Sequence, residues 1–161
     1  MTEENTLRAQ LQASFKNRAM IYLEIYRVLE EEFGKARAAE LLKRAIYKRG
    51  CAIGENFKAF GPSDLKGLEK AFLASIPDDG KMFDPRVVKN DGEELEIELH
   101  NCPLKDAWGD AGLSDDEKVL MCEVAGVVDN GTFESAGFSF HGTTWQPGRA
   151  HCCHLIVRKG A

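Results

Sequence analysis

The sequence predicts an α+β fold, with an N-terminal helical bundle packed on a small antiparallel sheet. Three observations predict it. Apolar residues recur at helical spacing from Leu7 to Leu73. Near residue 84 the period changes, and Glu94-Leu95-Glu96-Ile97-Glu98-Leu99 alternates strictly between polar and apolar. Asn90-Asp91-Gly92 stands between two short extended runs, where a hairpin turn belongs. Helices segregated from antiparallel strands give the α+β class.

The elements follow in order. Residues 5–33 predict a helix through Leu7, Leu11, Phe15, Met20, Leu23, Tyr26 and Leu29, with Gly34 as the C′ residue. Residues 35–60 predict a second helix with Ala36, Ala39, Leu42, Ala45, Ile46 and Ile53 inward. Gly50 and Gly54 lie inside it, four apart, which indicates close packing on another helix at about 1 kcal/mol of propensity per glycine. Ser63 is the expected N-cap of a third helix over 64–75, stopped by Ile76-Pro77-Asp78-Asp79-Gly80. Residues 86–89 and 94–100 predict paired strands. Ser114 with Glu117 forms a capping box for a helix that Asp129-Asn130-Gly131 is expected to end. Residues 137–141 and 151–158 predict the last two strands. On a regular strand Cys152 and Cys153 point to opposite faces, so they should not bond to each other.

The length of 161 residues suits one domain, with 1–80 as a helical part and 81–161 as an α+β part. The net charge of −5 argues against nucleic acid as a partner, because phosphate binding wants a basic face. Met1 leads into Thr2-Glu3-Glu4-Asn5 rather than a basic run and an apolar core, so no signal peptide is expected. No apolar run approaches the ~18 residues of a membrane span. A cytoplasmic location with reduced cysteines follows, and the odd count of five argues against a full disulfide framework. The sequence leaves a homo-oligomer open.

The chemistry-bearing residues concentrate between His100 and His154. This stretch holds four of the five cysteines and all four histidines. Thiolates and imidazoles are the usual ligands of Zn²⁺ and related metals. No CxxC pair appears, so spacing alone is a weak signal. However, Cys102, Cys122, His141 and Cys152 fall on different predicted elements, as in a site assembled by a fold. Cys152 beside His154 reads as a reactive pair, since a neighbouring imidazole can lower a thiol pKa. Cys153 heads an apolar set and reads as core. No triad order, P-loop or GxGxxG arrangement is present.

At these residues the chain resembles the L-2-amino-thiazoline-4-carboxylic acid hydrolase family. The likeness rests on Cys102-Pro103-Leu104, Met121-Cys122 and the closing Gly148-Arg149-Ala150-His151-Cys152, behind a helical region. The closing part also resembles the 4-vinyl-reductase-like small-molecule-binding domains of aromatic-sensing transcription activators. Those domains bind zinc through a helix cysteine, an acidic residue and two further cysteines. On that pattern Cys122 and Cys152 match the outer cysteines and His141 stands at the acidic position. Thr144 replaces the middle cysteine, and Cys102 is available as the fourth ligand.

The resemblance implies two readings. One is a hydrolase that opens a small cyclic amidine such as 2-amino-thiazoline-4-carboxylate. In it a divalent metal, zinc first, is held by Cys102, Cys122, His141 and Cys152. His154 carries the proton, and Arg149 and Trp145 contact the substrate. The other is a metal-stabilised domain that binds or senses a small molecule without turnover. Both take a small-molecule ligand.

Overall fold

The computed structural model describes residues 2–161; the Met1 start falls outside the described residues. Helix α1 spans Glu3–Phe33 and is capped by Thr2, whose hydroxyl accepts from the Asn5 amide. It turns at Gly34, whose φ of 79° is the left-handed conformation that glycine adopts at no steric cost. Helix α2 (Lys35–Gly54) follows and runs into a single 3₁₀ turn, Glu55–Phe57. Helix α3 covers Leu65–Ser75. Its N-cap is Asp64 rather than Ser63, because the Asp64 carboxylate reaches the Gly67 amide at 2.9 Å.

Strands β1 (Pro85–Asn90) and β2 (Glu94–Leu99) form the expected hairpin. Asp91 pins its turn by accepting from the Glu93 and Glu94 amides, and Gly92 takes a φ of 86°. These contacts, the backbone amides first, draw the Asp91 carboxyl down to about 2. Helix α4 (Pro103–Asp110) begins with Pro103, which needs no amide partner in a first turn. Helix α5 (Asp115–Ser135) opens on the Ser114–Glu117 capping box. Strands β3 (Ser139–Thr143) and β4 (Cys153–Arg158) close the chain. The sheet is antiparallel throughout, in the order β1-β2-β4-β3. No helix of the described residues is long and apolar enough to cross a membrane.

Two apolar clusters hold these parts together. One joins Ala19, Leu23, Leu42 and Ile46 of α1 and α2 to Trp108, Met121 and Val124 of α4 and α5. Trp108 is fully buried, and its indole N–H donates to the Ala19 carbonyl at 2.9 Å. The other cluster lays Leu65, Leu68 and Phe133 on Leu95, Ile97, Leu155 and Val157 of the sheet. The period of two in β2 and β4 turns these side chains inward and Glu94, Glu96, Glu98 and His154 outward.

Helix α5 does not stop at Asp129-Asn130-Gly131 but continues to Ser135. Gly131 is the reason. It crosses α2 with its Cα 3.0 Å from where a Cβ on Gly50 would lie, and a Cβ on Gly131 would strike the Tyr47 carbonyl. The glycine that reads as a helix stop is thus a packing position. Gly50 and Gly54 have the close-packing role their spacing suggests, since added Cβ atoms would meet the α5 backbone at Val128 and Thr132.

Candidate functional site

The site begins where β4 begins. The strand starts at Cys153, and Cys152 lies in the bend before it, held by its amide to the Leu99 carbonyl at 2.8 Å. Outside the strand, Cys152 does not obey the alternation that a strand over 151–158 implies. Its sulfur therefore lies 3.7 Å from that of Cys153, with the Cys153 thiol donating. Cys102, the N-cap of α4, and Cys122, on the inner face of α5, lie close enough to act on the Cys152 thiol. All five cysteines are free thiols.

The four neighbouring thiols, two buried and two half-buried, share one favourable place for negative charge. The S–H groups of Cys102, Cys122 and Cys153, in that order, hold the Cys152 thiol well below its ordinary value, with help from the nearby Lys105 ammonium. The three donors are pushed up in turn, first by facing the Cys152 sulfur and then by burial.

Beside this cluster a cavity of about 410 Å³ opens between α5, β3, β4 and the loop that joins the two strands. Cys153 reaches its wall. So do Lys43 of α2, Glu123 and Asp129 of α5, and Thr144 and Arg149 of the loop. Asp129 is half-buried on the cavity lining, and none of the hydrogen bonds or ion pairs of the described residues involves its carboxyl. Burial alone lifts that carboxyl to about 7, because a charge there loses its hydration without gaining a partner. The Asp129 carboxyl is also close enough to Cys153 to add to the upward shift of its thiol. Arg149 uses one guanidinium nitrogen to donate to the Thr144 carbonyl at 2.7 Å, which fixes the loop and leaves its other donors for the cavity.

The residues expected from sequence are placed as follows. Cys102, Cys122 and Cys152 come together. His141 does not join them: it lies opposite Ile156 on the outer face of the sheet, while its neighbour Phe140 points inward. Cys153 stands where a fourth sulfur is needed. Even so, among the described residues no three His, Cys, Asp or Glu side chains converge so as to hold a metal ion. Of the expected zinc set, His141 thus stands apart from the three cysteines, and no chemical step is derived through a metal.

His154 is on the outer face as well, paired with Glu96 at 2.6 Å, with the sheet between it and the cavity. It belongs to a surface group with His151 and His100, in which His100 meets Glu98 at 2.8 Å. Arg149 lines the cavity. Trp145 does not; it borders a second hollow of about 500 Å³ with Lys16, Lys105 and Lys118, under the Lys118 ammonium at 4.7 Å.

Asp129, Cys153 and Lys43 were not among the expected site residues. Asp129 reads from sequence as part of a helix stop, and Cys153 as core. Only the raised Asp129 carboxyl, and the cavity that all three line, mark them.

Among curated proteins none matches the chain. Among solved structures, a trafficking protein particle complex subunit 3 from Naegleria fowleri, covalently bound to palmitic acid, is similar with a TM-score of 0.58. It is 19% identical, over 92% of this chain and 96% of that one, a likeness of fold. Residues 14–157 match the family described as L-2-amino-thiazoline-4-carboxylic acid hydrolase. With that match over most of its length, the chain belongs to the L-2-amino-thiazoline-4-carboxylic acid hydrolase family.

Proposed function

We propose that the protein hydrolyses a small cyclic amidine that bears a carboxylate, with 2-amino-thiazoline-4-carboxylate as the reference substrate, in the cavity beside Cys153. The observation that carries this reading is that charges of both signs line one cavity. Arg149 and Lys43 offer cations to a carboxylate, while Asp129 and Glu123 offer carboxyls to an amidinium. A volume of about 410 Å³ is in the range of small-molecule sites and leaves room for a single heterocycle with water.

The overall reaction adds water to the ring carbon between nitrogen and sulfur. The C–S bond breaks, the sulfur leaves as a thiol and the carbon becomes the carbonyl of a urea. A carboxyl poised near 7 suits both proton transfers, taking the proton of water and returning one to the departing sulfur. Asp129 has that role. Arg149 holds the substrate carboxylate through donors not used by Thr144.

A binding domain without turnover is the second reading. Its support is the structural neighbour, which carries covalently bound palmitic acid and so shows that a fold of this kind can hold a small molecule. The charged wall here suits a small zwitterion better than a fatty chain.

The test is direct. The purified chain is incubated with 2-amino-thiazoline-4-carboxylate, and free thiol is followed with a thiol reagent while the urea carbonyl is followed by NMR. Catalysed release of both in equal amounts is expected. Saturable binding with no thiol release favours the binding domain, and neither signal removes both readings.

A further inference from the structure

We infer that two copies of this chain pair through the outer face of α1, antiparallel about a two-fold axis at Ile25, with Arg18 of each copy against Glu32 of the other. The pairing does not depend on the ring-opening reading above.

Helix α1 carries more apolar side chains than the core takes up. Ala19, Leu23 and Tyr26 share one face of the helix and are buried in the cluster with α2, α4 and α5. At about 3.6 residues per turn, Ile21, Ile25 and Val28 fall on the opposite face. They are 49%, 43% and 57% exposed. Tyr22 and Leu29 border them, half-buried. One such residue is ordinary on a surface, but three on consecutive turns make a contiguous apolar stripe of the kind that marks an interaction site. The stripe lines neither of the two hollows, so it does not serve the small-molecule site.

The charges at the ends of the stripe select its occupant. Arg18 lies one turn before Ile21 and Glu32 one turn after Val28, on the same face and exposed. Arg27 and Arg37 pair with Glu24 and Glu40 within the chain, whereas among the described residues Arg18 and Glu32 enter no ion pair. Arg18 instead lies over the Phe15 ring at 4.6 Å. Both charges are equally far from Ile25, about 10 Å along the axis at ~1.5 Å of rise per residue. An antiparallel second copy therefore sets Ile25 on Ile25, Ile21 on Leu29 and Tyr22 on Val28, and closes both ends with Arg18 against Glu32. The face is self-complementary, as a two-fold interface requires. A parallel copy would set Arg18 on Arg18 and Glu32 on Glu32, which like-charge repulsion opposes. A stripe of three turns is smaller than the ~800 Å² per partner of a standard interface, so the dimer is a reversible one.

Sedimentation equilibrium of the purified full chain tests the pairing. Wild type should pass from monomer to dimer with a Kd of about 1–100 µM, the range of a small interface. Ile25→Glu sets two carboxylates against each other on the axis and should weaken the dimer by at least about tenfold. Its melting temperature should stay at the wild-type value, because the side chain is half-exposed. Val28→Glu serves as the second variant should Ile25→Glu fail to fold. Arg18→Glu and Glu32→Arg should each weaken self-association by at least about tenfold. Mixed in equal amounts, they should form a heterodimer as tight as the wild-type dimer, since both end pairs are then restored. A wild-type chain that stays monomeric at about 500 µM would overturn the pairing. So would a dimer that withstands both Ile25→Glu and Val28→Glu. Charge variants that weaken self-association and do not recombine would overturn the antiparallel register. A wild-type monomer that sediments with phosphatidylcholine vesicles, beside an Ile25→Glu variant that does not, would give the stripe to a lipid surface instead.

Discussion

The sulfur of Cys153 lies 3.7 Å from that of its chain neighbour Cys152, although a regular strand would send the two to opposite faces. The contact exists because β4 begins only at Cys153, with Cys152 in the preceding bend. Cys153 reaches a cavity wall and Cys152 stays behind it.

Stability should depend on pH through Asp129. Burial lifts its folded-state carboxyl to about 7 from an ordinary value of 3.8. Between these values the folded chain holds a proton that the unfolded chain has lost. Stability therefore falls as pH rises through this window and is level above it. Asp129→Asn should gain on the order of 1–3 kcal/mol at pH 8 and little at pH 4, measured by urea unfolding. An equal gain at both values would contradict the assignment.

The α2–α5 crossing should tolerate no side chain at its glycines. Gly50→Ala and Gly131→Ala would each press a methyl into the facing backbone. Each should cost about 1–3 kcal/mol, against the ~1 kcal/mol that alanine gains in helix propensity. Gly109→Ala is the control: the nearest atom to its added Cβ is Lys118 Cδ at 4.0 Å, so it should be neutral or slightly stabilising. Thermal melts of the three variants check this, and a stabilised Gly131→Ala would refute the crossing.

The outer-face histidines should be dispensable for turnover. His154 pairs with Glu96 on the side of the sheet away from the cavity. His154→Gln should turn over the thiazoline at the wild-type rate, with an unchanged pH profile. A large loss in kcat would move the chemistry to the outer face.

Metal removal should leave the protein folded. His141 is separated from the thiols by the sheet, and no group of three donors among the described residues is set to hold a metal ion. Dialysis against a chelator should change neither the melting temperature nor thiol release. Stoichiometric zinc in the purified protein, with a melt that drops when the zinc is stripped, would show that the thiols rearrange around a metal.

Much of the fold was legible in the sequence, because local rules determined it. The Asn90-Asp91-Gly92 hairpin, the Ser114–Glu117 capping box and the alternation of β2 all appear where their chemistry places them. Gly50 and Gly54 announced a close crossing by their spacing, although not its partner, since Gly131 looks locally like a helix stop.

The site was legible only in part. That Cys102, Cys122 and Cys152 meet follows from residue type and from the family resemblance. The sides taken by His141 and His154 depend on strand register and on which face meets the helices, which no local pattern fixes. Asp129 was invisible because helical periodicity says which way a side chain points, not whether a cavity lies there.

The central claim is that ring opening takes place in the cavity between Asp129 and Cys153. Steady-state thiol release from 2-amino-thiazoline-4-carboxylate by wild type and by Asp129→Asn at pH 7.5 tests it most directly. The account predicts a fall of about 10²–10⁴-fold in kcat for the variant, the usual weight of a positioned general acid and base, with its fold intact. Thiol release by Asp129→Asn at the wild-type rate would contradict it.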